Sequence, residues 1–214
     1  MAFGDIGRGT LDVGPFAEGE DDMSPAQHGD TAYGPATALL KEEHDLILRG
    51  LTVLERVAAR LVEGKPVAPE TLAKLVGFFR NFADRCHHGK EEAMLFPALE
   101  SAGLPRDGGP TGVMCMEHED GRACVQGIAA ATARLARDPA AAQEVVQHAR
   151  QFVALLRAHI EKENNVLFIM ADSILSPENQ QALFARYGQF TEEQAGCRIH
   201  EEPTALIREL EAAV

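Results

Sequence analysis

Two stretches of this chain repeat one another, and both set polar groups on what is otherwise an apolar face. The first is His87-His88-Gly89-Lys90-Glu91-Glu92, running into Met94-Leu95-Phe96-Pro97. The second is His159-Ile160-Glu161-Lys162-Glu163, running into Val166-Leu167-Phe168. Aligned on the apolar tail, His87 matches His159, Glu91 matches Glu163 and Phe96 matches Phe168. Each motif is His-x3-Glu, and residues four apart on a helix share one face, one turn apart. Another histidine stands upstream of each motif at nearly the same distance, His44 before His87 and His118 before His159. The chain is a doubled unit, with one histidine on a first helix and His-x3-Glu on the next.

Proline marks where the helices begin. Pro35, Pro69, Pro110, Pro139, Pro177 and Pro203 each open an apolar pattern of helical period, and proline at the first helical position loses no hydrogen bond. Asp138 and Ser176 are suited to N-caps, Gly64 and Gly103 to C-terminal caps. Six helices follow, at about residues 35–63, 69–100, 110–137, 139–171, 177–193 and 202–213, and no stretch alternates like a strand. Four long helices with short connections predict an all-α protein, an up-down-up-down four-helix bundle with short extra C-terminal helices. The organisation expected is a flexible N-terminal segment over residues 1–33, the bundle over 34–172 and a C-terminal helical extension over 173–214.

The four stripes are Leu40, His44, Ile47, Leu51 and Leu54; Val76, Phe79, Ala83, His87, Glu91 and Met94; Met114, His118, Gly121, Val125 and Ile128; and Val145, His148, Phe152, Leu155, His159, Glu163 and Val166. Burying an unpaired histidine or glutamate is costly. Four histidines and two glutamates facing one core must satisfy each other, or a metal must satisfy them. Six such donors exceed the four that a structural zinc takes. They suit two metals, each with two histidines and both bridged by the two glutamates. Imidazole and carboxylate together favour iron over manganese or zinc. The expected ligands are His44, His87, Glu91, His118, His159 and Glu163.

Other candidates have plainer readings. His88-Glu92 shares the four-residue spacing, but His87-Glu91 lies on the apolar stripe, so His88 is expected to be a solvated neighbour. His148 lies three turns from His159, too far to share a metal, and is expected to be hydrogen-bonded. Cys115, one turn before His118, and Cys86 and Cys124 read as packing residues. Glu43 and Glu117 stand beside ligand histidines, where they could orient them or simply face solvent. His200 could fold back as a fifth imidazole or proton donor, or stay exposed.

Other function classes are disfavoured. The net charge is -13 over 214 residues, which argues against a nucleic-acid surface. No apolar run is long enough to span a membrane. The N-terminus shows no secretory signal, and four cysteines without CxxC spacing fit a reducing cytoplasm. There is no HExxH zinc-protease motif, no P-loop and no GxSxG.

The two motifs with their upstream histidines resemble the bacterial hemerythrin-like, or HHE cation-binding, family over about residues 36–171. The resemblance implies a four-helix bundle holding a non-haem di-iron centre, with His44, His87, Glu91, His118, His159 and Glu163 at its ligand positions. The chain departs from the oxygen-carrying hemerythrins of marine worms, which have His-x3-His on the third helix and His-x4-Asp on the fourth. Here Arg122 stands four after His118, and the fourth helix has Glu163. The expected function is therefore binding of, and reaction with, O2, peroxide or NO, with an external electron donor. The alternative is an O2- or iron-binding or sensing protein without turnover.

Overall fold

The computed structural model describes residues 33–193 and 201–214. The segment 1–32, where most of the expected N-terminal lead-in falls, and His200 lie outside the described residues. Among the described residues every regular element is helical. Helix α1 is Pro35–Val62 and α2 is Pro69–Phe78. From Phe79 the second helix continues as a π-helical stretch, Phe79–His88, then a second one, Glu91–Leu95, before closing as α3, Phe96–Ser101. Helix α4 is Pro110–Thr132 and α5 is Ala141–Lys162. The fourth rod runs on through π-helical Glu163–Leu167 into α6, Phe168–Ile174. Helices α7, Pro177–Glu193, and α8, Glu201–Ala213, follow.

The stop and start signals act as their chemistry requires, with two adjustments. Pro35, Pro69, Pro110 and Pro177 open their helices. Gly64 and Gly103 take positive φ, at 68° and 102°, where other residues would be strained. Ser176 Oγ accepts from the backbone N–H of Asn179, as an N-cap does. Asp138, in contrast, accepts from the N–H of Ala140 and holds a turn. Helix α5 therefore begins two residues beyond Pro139, and α4 ends at Thr132 in a run of turns instead of reaching residue 137.

The four rods form the antiparallel bundle, α4 lying along α5 and α1 along α5. Helix α7 packs on α1, and α8 packs on α1 and α2. The core has two parts. One is built around Leu51, Leu54, Phe79, Val125, Phe152 and Leu156. The other is built around Leu40, Leu95, Phe96, Phe168, Leu183 and Tyr187. Between them the histidines and glutamates form a polar layer, in which no side chain of the six expected ligands is more than 1% exposed. Helix α7 helps to close the second part: Tyr187 is fully buried, and Phe190 lies against Gly89, where a Cβ would come within 2.9 Å of its ring. No described helix is long and apolar enough to cross a membrane.

Candidate metal centre

All six expected ligands meet in the polar layer, and their outward nitrogens are tied down first. His87 Nδ1 donates to Glu43 Oε2 at 2.9 Å, and His159 Nδ1 to Glu117 Oε2 at 2.9 Å. His44 Nδ1 donates to Asn164 Oδ1 at 2.9 Å, and His118 Nδ1 to Glu92 Oε1 at 2.7 Å. Each acceptor comes from another helix than its histidine. Glu43 therefore orients His87, not its neighbour His44, and Glu117 orients His159, not His118. Lys90 and Lys162 pair with the remaining oxygens of Glu43 and Glu117. His44 stacks on Phe168 and His118 on Phe96, at 5.4 and 5.9 Å between ring centres. Each pairing in one half thus has its counterpart in the other. Fixing Nδ1 as the protonated atom leaves Nε2 of all four histidines as a lone-pair donor turned inward.

Inside the layer the donors converge on two places. Glu91 puts Oε1 3.5 Å from His87 Nε2 and Oε2 3.5 Å from His118 Nε2. Glu163 puts Oε1 3.2 Å from His159 Nε2 and Oε2 3.1 Å from His44 Nε2. His118 Nε2 and His159 Nε2 are 3.1 Å apart. The Nε2 atoms of His44 and His87, and all four carboxylate oxygens, are buried without a hydrogen bond. Buried polar atoms in this state cost stability unless something satisfies them. Donors about 2.1 Å from a metal and at right angles to each other stand about 3.0 Å apart, close to the spacing seen here. One donor set is His44, His87, Glu91 and Glu163. The other gathers His118 and His159 around Glu91, with His88 beside them. The residues present fit a pair of metal ions bridged by two carboxylates.

The charges inside the layer are uneven: burial lowers His159, but Glu163 and Glu117 outweigh it and raise that group. Burial, with the nearby Glu163 and Glu43 charges, pushes the Glu91 carboxyl well above the usual range. Burial opposes ionisation of Glu163 too, but His159 and His44 outweigh it and hold that group well down. Burial also opposes ionisation of Glu43, yet the bond from His87 and the Lys90 charge hold its pKa at about 2. Burial lowers His87 to about 4 against the pull of Glu43, and a neutral imidazole is the metal-binding form.

His88 is not the solvated neighbour that the α-helical phase implies. It is 5% exposed and faces the layer beside His87. The cause is the π-helical stretch, whose wider turn brings His87, His88, Lys90 and Glu91 inward together. The third π-helical stretch shifts the phase in the same way. Val166, expected on the core stripe, is 51% exposed, and Leu167 takes its place at 1%. His148, expected to be hydrogen-bonded, instead packs half-buried against Gly127 and makes no hydrogen bond among the described residues. Cys115 Sγ accepts from Arg106 at 3.4 Å, away from the donor sets. Arg122 turns outward to Asp84, Glu92 and Glu119. Beside it a cavity of about 360 Å³ leads inward past Phe79, Ala83 and Phe152 to His88 and His118.

Comparison with known proteins agrees with the geometry. An uncharacterised protein of Mycobacterium tuberculosis is 28% identical over 162 residues, which cover 74% of this chain and 61% of that protein. The iron-sulfur cluster repair protein YtfE of Edwardsiella ictaluri is 28% identical over 159 residues, 70% of this chain and 72% of that one. The protein of the same name from Citrobacter koseri is 32% identical over 127 residues, 58% of this chain and 55% of that one. The chain thus spans about 61% of the length of the mycobacterial relatives it matches. No solved structure matches it. The family model for the hemerythrin HHE cation binding domain matches residues 36–171, so the chain belongs to that family of metal-binding helical bundles.

Proposed function

We propose that the protein holds two iron ions through His44, His87, Glu91, His118, His159 and Glu163, and that its reduced form reacts with O2, peroxide or NO. The observation that carries the reading is the convergence of imidazole nitrogens and four carboxylate oxygens in one buried layer, with the carboxylate oxygens lacking any hydrogen bond. Two irons held there supply two reducing equivalents and open positions for a small ligand. Glu43, Glu92, Glu117 and Asn164 keep the imidazoles in one tautomer and one orientation. Lys90 and Lys162 balance the charge of Glu43 and Glu117. Phe96 and Phe168 keep water off the His118 and His44 rings.

The cavity favours reaction over storage. At about 360 Å³ it is far larger than a diatomic molecule, and Arg80, Asp84 and Arg122 lie on its wall. Water and protons therefore come close to the imidazoles. An external electron donor would return the centre to its reduced state. Kinship with proteins named for iron-sulfur cluster repair fits a role in redox or nitrosative stress.

The test is to load the chain with ferrous iron without oxygen and mix it with air, peroxide or NO while following the optical spectrum. Conversion within seconds to minutes to an oxidised or NO-bound spectrum is expected. A spectral change in air that reverses on removing O2 and lasts for hours would favour carriage. A silent spectrum with all three reagents would contradict the reading.

A further inference from the structure

The two halves of the site part company at position 88. Its counterpart in the second repeat is Ile160, an ordinary member of the apolar core. His88 is just as buried, yet neither of its ring nitrogens has a hydrogen-bond partner. The nearest carboxylate oxygen, Asp84 Oδ1, is 3.6 Å from Nδ1 and is engaged by Arg122 Nε at 2.8 Å. The ring lies flat on His118, with centres 3.8 Å apart and planes within 9°, and meets His159 edge-on at 5.8 Å. One donor atom from each of His88, Glu91, His118 and His159 lies within 4.8 Å of all the others. The fourth position after His118 offers nothing inward, because Arg122 is turned to Asp84, Glu92 and Glu119.

We propose that His88 is the third imidazole of the metal position held by His118 and His159, making the two positions unequal. One then has three imidazoles, and the other, at His44 and His87, has two. The inference rests on the two-metal reading above. The device is the π-helical stretch ending at His88, which lets two consecutive histidines of one helix serve opposite positions. A buried imidazole without a partner is otherwise a pure liability where the other repeat has isoleucine. His88 and His118 together form the inner end of the cavity, so the three-imidazole position is the one that the cavity approaches. The His44 and His87 position keeps fewer protein donors.

The experiment compares the natural chain with His88→Phe, which keeps a ring against His118 but no donor, and with His88→Leu, which copies the apolar choice of the other repeat. Each is titrated with ferrous iron-57 without oxygen, and iron uptake and Mössbauer spectra are recorded. The natural chain should take up two irons in two distinct environments. In both variants one iron should bind about 10- to 100-fold more weakly, and one of the two doublets should move or vanish. Metal-free His88→Leu should melt at or above the temperature of the natural chain. Two irons with unchanged affinities and doublets in both variants would overturn this assignment alone. A natural chain that takes up one iron or none would overturn the two-metal reading and this assignment with it.

Discussion

Glu91→Gln separates a metal ligand from a structural carboxyl, because the two roles change stability in opposite directions. Both Glu91 oxygens are buried without a hydrogen bond, and its carboxyl is pushed up by burial and by the Glu163 and Glu43 charges. A group whose folded pKa lies above its unfolded one contributes stability below the unfolded value, near pH 4.5, and that contribution is lost as pH rises through the folded value. Glutamine has nearly the same shape and never ionises. At neutral pH the metal-free variant should therefore be as stable as the natural chain or more so, by about 1–3 kcal/mol. For a helical unit of this size that is roughly 2–12 °C in Tm. The margin should shrink as pH falls toward 4.5. Metal binding should move the other way. Glu91 faces His87 with one oxygen and His118 with the other, so the amide weakens both positions, by at least about 100-fold, or about 2.7 kcal/mol, each. The assays are thermal melts of metal-free protein at several pH values and an anaerobic ferrous titration. A variant that melts lower without metal yet still binds two irons tightly would refute the reasoning.

Other perturbations follow from the same geometry. Glu43→Gln leaves His87 only a neutral amide acceptor and leaves Lys90 buried without its charge partner, and should cost about 3–5 kcal/mol in denaturant unfolding and weaken iron binding about 10- to 100-fold. Gly121→Leu fills the cavity wall facing Phe152; two irons should remain while the reaction with peroxide slows several-fold in stopped-flow mixing. Gly89→Val drives two methyl groups into Phe190; overpacking should cost about 1–3 kcal/mol and expose α7 to limited proteolysis before the bundle.

Much of the bundle was legible because its signals are local. Proline starts, the glycines at positions 64 and 103, and the 3.6-residue stripes are written into short windows, and the repeated His-x3-Glu spacing brought six donors to one layer. What was not legible depends on phase and partner. The π-helical stretches insert an extra residue per turn where residue preference does not mark it. An α-helical wheel therefore turns His88 outward and Val166 inward, the reverse of what the fold does. Sequence neighbours misled in a second way. Glu43 and Glu117 sit next to His44 and His118, but the antiparallel packing hands them to His87 and His159. The acceptors of His44 and His118, Asn164 and Glu92, lie one residue past the bridging glutamates of the opposite half. The repeat contains this correspondence, and folding the two copies against each other would have shown it. The early end of α4 has a third cause, since Asp138 stabilises a turn where a helix start was expected.

The central claim is that two bridged metal positions share one buried layer, and an anaerobic ferrous titration of the natural chain beside Glu163→Ala tests it most directly. Glu163 reaches His159 with one oxygen and His44 with the other, so removing its side chain deprives both positions at once. The natural chain should take up two irons per chain, and Glu163→Ala should lose both in parallel while keeping its helical content. Full occupancy of Glu163→Ala by two irons, or a natural chain that saturates at one, would contradict the account.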